Sequence, residues 1–168
     1  MRDSDNDGPE FEELYRSGTN LLHRGRAEES LPLLEQARDL DENHLDAALN
    51  LSGGYILTKR FKKAVAILEP LSRQSPDNVM VWTNLGAAYL GNPVLARDAD
   101  QQRAITAFKH ALAINPAAPN VAYNLGLIYR DRTEFDEARY WFQQAIESNP
   151  HDDHARRLHA QLAESSEA

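Results

Sequence analysis

Four stretches of this chain carry the same residues in the same order. Gly18, Ser52, Gly86 and Gly126 are each followed three residues on by Leu21, Tyr55, Tyr89 and Tyr129. Next come Ser30, Ala64, Ala104 and Ala138, then Leu34, Leu68, Phe108 and Phe142, then Ala37, Leu71, Ala111 and Ala145. Pro76, Pro116 and Pro150 close the last three copies. The copies repeat every 34 residues, except that six extra residues inside the third stretch one interval to 40. A period of this length marks a chain of supersecondary units that stack on one another. Within each copy a Gly, Ser or Ala lets two helix backbones approach, while Leu, Tyr and Phe at i, i+3, i+4 spacing fill the space on either side. One such hairpin cannot bury its apolar face alone, so neighbours must cover it, each contacting mainly the next.

These residues resemble the tetratricopeptide repeat family, a helix-turn-helix unit of about 34 residues with an aromatic, Leu-Gly, Tyr, Ala, Phe, Ala and Pro at fixed offsets. The third copy matches most fully, with Trp82, Leu85, Gly86 and Tyr89 on its first helix and Ala104, Phe108, Ala111 and Pro116 on or beyond its second. The first copy departs most, with Ser30 for Ala, Leu21 for Tyr and Glu42 for Pro. The resemblance implies an all-α fold, a right-handed superhelix of four repeats at 11–44, 45–78, 79–118 and 119–152. A capping helix at 153–163 follows, between a disordered tail over 1–10 and a frayed one over 164–168.

Local signals refine this layout. Pro9 suits the first turn of the opening helix, with Asp7 or Gly8 ahead of it. Pro32 and Pro70 fall in second helices, where a proline removes a backbone hydrogen bond, so a late start near Ser30 and a kink near Glu69 are expected. Asp98 or Asp100 can cap the helix after the insertion, which lies within Gly91 to Ala99 and holds the turn signal Asn92-Pro93. The insertion reads either as a tolerated loop or as an apolar lip formed by Pro93, Val94 and Leu95. Asp152 can cap the last helix, which turns Ala155, Leu158 and Leu162 toward the array and Arg156, Arg157 and Gln161 toward water.

Composition narrows the partners. Of the 168 residues 42% are hydrophobic and 26% charged, a soluble globular balance, and no apolar run approaches the roughly 20 residues needed to span a bilayer. The polar start from Met1 to Asp7 lacks the apolar stretch of a secretory signal, so a cytoplasmic protein is expected. With no cysteine there are no disulfides, thiolate metal sites or cysteine nucleophiles. The formal net charge of -8 argues against nucleic acid and anionic membrane surfaces, which reward clustered Lys and Arg, and favours a basic or mixed-charge protein segment.

Function then depends on the inner face. In the family the first helices line a concave groove, and the residue two before the small position points into it. Here those residues are Arg16, Asn50, Asn84 and Asn124. Each amide offers a donor and an acceptor in one plane, which suits the backbone of an extended peptide. The resemblance supports such a ladder, while the alternative is that the amides bond within their own array. The same geometry adds Tyr15, Thr83 and Tyr123, with Leu127 and Arg130 farther along the last repeat; Leu49 and Leu90 in that register read rather as packing residues. The carboxylate clamp of tetratricopeptide co-chaperones does not fit, because only Asn50, or Asn84 in a shifted frame, matches it.

No enzyme constellation emerges. His151, Asp152, Asp153, His154 and His159 cluster, but their spacing matches no HExxH pattern, and acidic residues at a helix start are expected from the dipole. No catalytic, metal or cofactor site is therefore expected. The reading is a non-catalytic adaptor that holds an extended segment of another protein. The rival is a structural protein whose arrays self-associate into oligomers.

Overall fold

The computed structural model describes residues 7–91 and 96–165. Among them are nine helices and no strand: α1 (Asp7–His23), α2 (Ala27–Leu40), α3 (Leu45–Leu57), α4 (Phe61–Gln74), α5 (Val79–Leu90), α6 (Asp98–Ile114), α7 (Val121–Asp131), α8 (Phe135–Ser148) and α9 (Asp153–Ser165). Consecutive helices pair as hairpins, α1 with α2 and so on to α7 with α8. Each second helix also packs on the first helix that follows it, and α9 closes the series against α8. The first helices meet one another directly where α1 touches α3 and α3 touches α5.

The small positions do what their size allows. A Cβ added to Gly86 would lie 2.6 Å from the Phe108 ring, and one added to Gly126 would lie 2.6 Å from that of Phe142. At Gly18 it would meet Leu34 at 2.8 Å. The second repeat has Ser52 here, fully buried, with its hydroxyl donating to the Leu49 carbonyl at 2.8 Å. Phe108, Phe142, Leu34 and Leu68 are all 0% exposed, so each small–large pair anchors one hairpin, with roughly 1.5–3 kcal/mol from burying each large side chain. The core runs the length of the array in adjoining clusters. Trp82 and Tyr89 pack against both of the larger ones, joining the first half of the molecule to the second.

Turns and caps follow local chemistry. Gly25, Lys59 and Thr133 occupy one repeat position between first and second helices, with φ of 74°, 59° and 60°. Each precedes the same closing bond, Arg26 N to Leu21 O, Arg60 N to Tyr55 O and Glu134 N to Tyr129 O. Only glycine adopts this left-handed geometry without strain. His44 caps α3 by accepting the Ala47 N–H on Nδ1, and Asn78 Oδ1 caps α5. Asp152 Oδ1 caps α9, accepting from His154 N and Ala155 N as expected, and Ala155 is fully buried beside the half-buried Leu158 and Leu162.

Several local expectations are corrected. α1 begins at Asp7, inside the tail expected over 1–10, because Pro9 in its first turn gives up an N–H that has no helical partner there. The last helix likewise runs past 163 to Ser165. α2 starts at Ala27 rather than near Ser30 and continues through Pro32, since the buried Ser30, Leu31 and Leu34 hold its first turns against α1 and α3. α4 runs unbroken from Phe61 through Pro70 to Gln74, which is compatible with the kink expected near Glu69. The residue before α6 is Arg97, without a side-chain cap; Asp98 and Asp100 lie in its first turn, where the helix dipole favours them. Pro93, Val94 and Leu95 lie outside the described residues.

Candidate functional site

The three ladder asparagines stand on α3, α5 and α7 in one register, and all three are half-buried. Their surroundings differ. Asn50 Nδ2 donates to Thr19 Oγ1 of α1 at 2.9 Å, tying the first two first-helices together. The Tyr15 hydroxyl belongs to the same network through Thr19 and Asn50, and burial, reinforced by Asp46, raises its pKa. Its ring packs on Phe11 at 5.7 Å and on His44 at 5.2 Å between centroids. Tyr15 and Asn50 are thus brought together, but as part of the seam between α1 and α3. Asn84 and Asn124 make no side-chain hydrogen bond among the described residues, so both amides keep a full set of donors and acceptors.

The other expected site residues divide in the same way. Thr83 is half-buried next to Asn84. Tyr123 leans on the Phe142 ring at 5.9 Å, and Leu127 packs against the same core, so both are partly committed to the fold. Arg130 forks to Asp131 Oδ1 through Nε at 3.2 Å and Nη2 at 2.8 Å. Arg16 is exposed on α1. Leu49 and Leu90 are buried core residues, 9% and 8% exposed. In the histidine cluster, Asp152 serves as the α9 cap, Asp153 pairs with Arg156 at 2.6 Å, and His154 Nδ1 lies 3.1 Å from Arg157 Nη2. Among the described residues no three His, Asp or Glu side chains converge in a way that could hold a metal.

Sequence reasoning missed a second recurring arrangement, on the side of the second helices. Tyr55 of α3 donates its hydroxyl to Glu35 of α2, and Lys63 of α4 sits 3.4 Å from the same carboxylate and 5.0 Å over the Tyr55 ring. One repeat later Tyr89 donates to Glu69 at 2.8 Å, while Arg103 pairs with Glu69 at 2.5 Å and stacks 3.9 Å over the Tyr89 ring. Burial and the facing carboxylate push the Tyr55 phenol well above its ordinary value, and burial and Glu69 raise Tyr89, so both remain hydroxyl donors. At the third junction Lys109 takes the carboxylate's place, 5.7 Å over the Tyr129 ring. The signal was in the sequence, since Glu35 and Glu69, like Lys63 and Arg103, recur in repeat register.

Comparisons with known proteins agree with this architecture. The curated Photosystem I assembly protein Ycf3 of Prochlorococcus marinus (strain NATL2A) is 26% identical over 140 residues, 79% of this chain and 60% of its own length. The chain thus spans about three-fifths of that relative. A tetratricopeptide protein of Thermus thermophilus superimposes with a TM-score of 0.77 at 22% identity, covering 93% of this chain and 82% of its own. A mutant of MamA gives a TM-score of 0.73 at 29% identity, covering 96% and 90%. The family model for the tetratricopeptide repeat matches residues 21–89 and 95–162. With that match over most of its length, and four stacked hairpins each closed on a small–large pair, the chain belongs to the tetratricopeptide repeat family.

Proposed function

We propose that this protein is a non-catalytic adaptor that holds an extended segment of another protein along its first helices, with the amides of Asn84 and Asn124 bonding the segment's backbone. The observation that carries this reading is that these two half-buried amides, in register on α5 and α7, have no side-chain hydrogen bond among the described residues. A half-buried amide lacking a partner in the fold is suited to a ligand's peptide group, which supplies one donor and one acceptor. Asn50 contributes less, because Thr19 already takes one of its two N–H donors. Thr83, Tyr123, Leu127, Arg130, Arg16 and Tyr15 frame the segment, with Tyr15 and Tyr123 acting as walls that the fold holds rigid.

A scaffold or adaptor role fits the family, and the Ycf3 relative is named a Photosystem I assembly protein. The net charge of -8 favours a basic or mixed-charge segment. No described helix is long and apolar enough to cross a membrane. The test is affinity capture from lysate of the source organism, with wild type beside the Asn50→Ala, Asn84→Ala, Asn124→Ala triple variant, both checked for helicity by circular dichroism. A partner held by wild type and lost by the folded variant supports the reading; the same partners on both would move binding away from the first helices.

A further inference from the structure

The net charge of -8 is unevenly spread, and its sign reverses at one turn. Between α3 and α4 the chain reads Leu57-Thr58-Lys59-Arg60-Phe61-Lys62-Lys63, with four cations in five residues. The other repeats do not share this charge. At the matching positions the first has Gly25, Arg26, Glu28 and Glu29, the third Ala99, Asp100, Gln102 and Arg103, and the fourth Thr133, Glu134, Asp136 and Glu137. The basic turn is therefore particular to the second repeat and is not required by the fold.

The turn is held rigidly and its charges face outward. Lys59 sits at its tip with φ of 59°, and Arg60 N closes it onto Tyr55 O at 2.7 Å. Lys59, Arg60, Lys62 and Lys63, all exposed, surround the half-buried Phe61 in a shallow hollow of about 370 Å³. Among the described residues no carboxylate lines this hollow. Arg60 Nη2 pairs with Glu28 at 2.8 Å and Lys63 Nζ with Glu35 at 3.4 Å, so those two cations are partly neutralised. Lys59 and Lys62 have no carboxylate partner among the described residues. Phe61 is fixed from behind, since a Cβ added to Gly91 would lie 3.3 Å from its ring. Leu57, at the head of the same turn, is 64% exposed.

We propose that this turn docks a short acidic segment of a partner protein, whose carboxylates pair with Lys59 and Lys62 while an apolar side chain between them rests on Phe61. Leu57 offers a second apolar contact. The surroundings of the patch select a short segment. Glu28 adjoins it through Arg60 and is followed by Glu29, while on the other side Asp100 lines a common cleft with Lys62. Neighbouring helices pack about 8–10 Å apart, so a membrane surface or a nucleic-acid duplex laid on this edge would press its phosphates on those carboxylates. A short peptide meets the cations alone. The chain's net charge repels an acidic segment at long range, but at 0.15 M salt the screening length is about 8 Å and the local cations decide. This surface lies on a turn, apart from the asparagine register on the first helices, and does not depend on it.

The experiment is an amide-resolved NMR titration of the full chain with two peptides, acetyl-Glu-Glu-Leu-Glu-Glu-amide and its Gln counterpart. The expected result is saturable shifts from Lys59 to Lys63, with affinity falling as salt rises from about 0.05 M to about 0.3 M. The Gln peptide, and the Lys59→Glu, Lys62→Glu double variant, should each bind about tenfold or more weakly. A second double variant, Arg73→Glu with Lys109→Glu, makes the same change in net charge away from the turn and should bind as wild type does; both variants are checked for helicity by circular dichroism. Equal affinity for the two peptides, equal loss in the two double variants, shifts centred on Asn84 and Asn124, or no saturable shift would each overturn the proposal. So would tighter binding to phosphatidylserine vesicles or to a short DNA duplex than to the acidic peptide, which would assign the cations to phosphate instead.

Discussion

Substituting two helical glycines with the same residue should move stability in opposite directions. Gly53 and Gly86 both lie inside first helices, and Ala in place of a mid-helix Gly gains about 1 kcal/mol from backbone entropy alone. A Cβ at Gly53 meets nothing within 4 Å, so Gly53→Ala keeps that gain. A Cβ at Gly86 would lie 2.6 Å from two atoms of the Phe108 ring and 2.9 Å from a third. Phe108 is 0% exposed and cannot swing toward solvent, so the overpacking strain falls near the upper end of the usual range, about 3 kcal/mol. The net for Gly86→Ala is a loss of about 2 kcal/mol, and the two variants should differ by about 3 kcal/mol. Urea unfolding followed by far-UV circular dichroism reads this, with matched m-values as the check that cooperativity is unchanged. Phe108→Leu recreates the residue pair of the second repeat, where Ser52 and Leu68 hold the equivalent positions. It should therefore cost less beside Gly86→Ala than alone, with a coupling of about 1 kcal/mol or more. Two alanine variants shifting stability the same way by similar amounts would refute the argument that the small positions set the interhelix distance.

Other consequences are open to simple measurement. Thr133→Gly relieves a β-branched residue at φ 60° and should raise the unfolding midpoint, a gain of about 1 kcal/mol after the entropy of the new glycine is counted. His44→Ala removes both the α3 cap and the ring between Phe11 and Tyr15, and should cost about 1–2 kcal/mol in urea titration. Because the Tyr55 phenol is raised in the folded state, its contribution is complete below the free tyrosine value of about 10 and fades as pH climbs toward the higher folded value. Alkaline unfolding should accordingly be shallower in Tyr55→Phe, and identical profiles for the two proteins would contradict the Tyr55–Glu35 bond.

What the sequence made legible was the relation of each residue to its own repeat. The pairing of Gly86 with Phe108 and of Gly126 with Phe142 follows from offsets within one hairpin, and the Asp152 cap from residues three apart. What it did not make legible depends on how one repeat meets the next, or on competition between local rules. Proline chemistry alone shortened α2 to Ser30, whereas the buried Leu31 and Leu34 carry the helix back to Ala27. The asparagine register was visible, yet not that Thr19 on α1 reaches Asn50 while Asn84 and Asn124 are left without such a partner. The tyrosine–glutamate–cation groups of Tyr55 and Tyr89 were likewise hidden, because Glu35, Tyr55 and Lys63 come from three successive helices. Their repeat-spaced recurrence as Glu69, Tyr89 and Arg103 was the signal that would have found them.

The measurement closest to the central claim is isothermal titration of a captured partner segment against wild type and the three single asparagine variants, each verified as folded. At about 0.5–1.5 kcal/mol net per hydrogen bond, Asn84→Ala and Asn124→Ala should each weaken binding by about twofold to tenfold per bond lost. Asn50→Ala should weaken it less, since its amide is already engaged by Thr19. Affinity unchanged by Asn84→Ala and Asn124→Ala would contradict the account and place the partner on another face of the array.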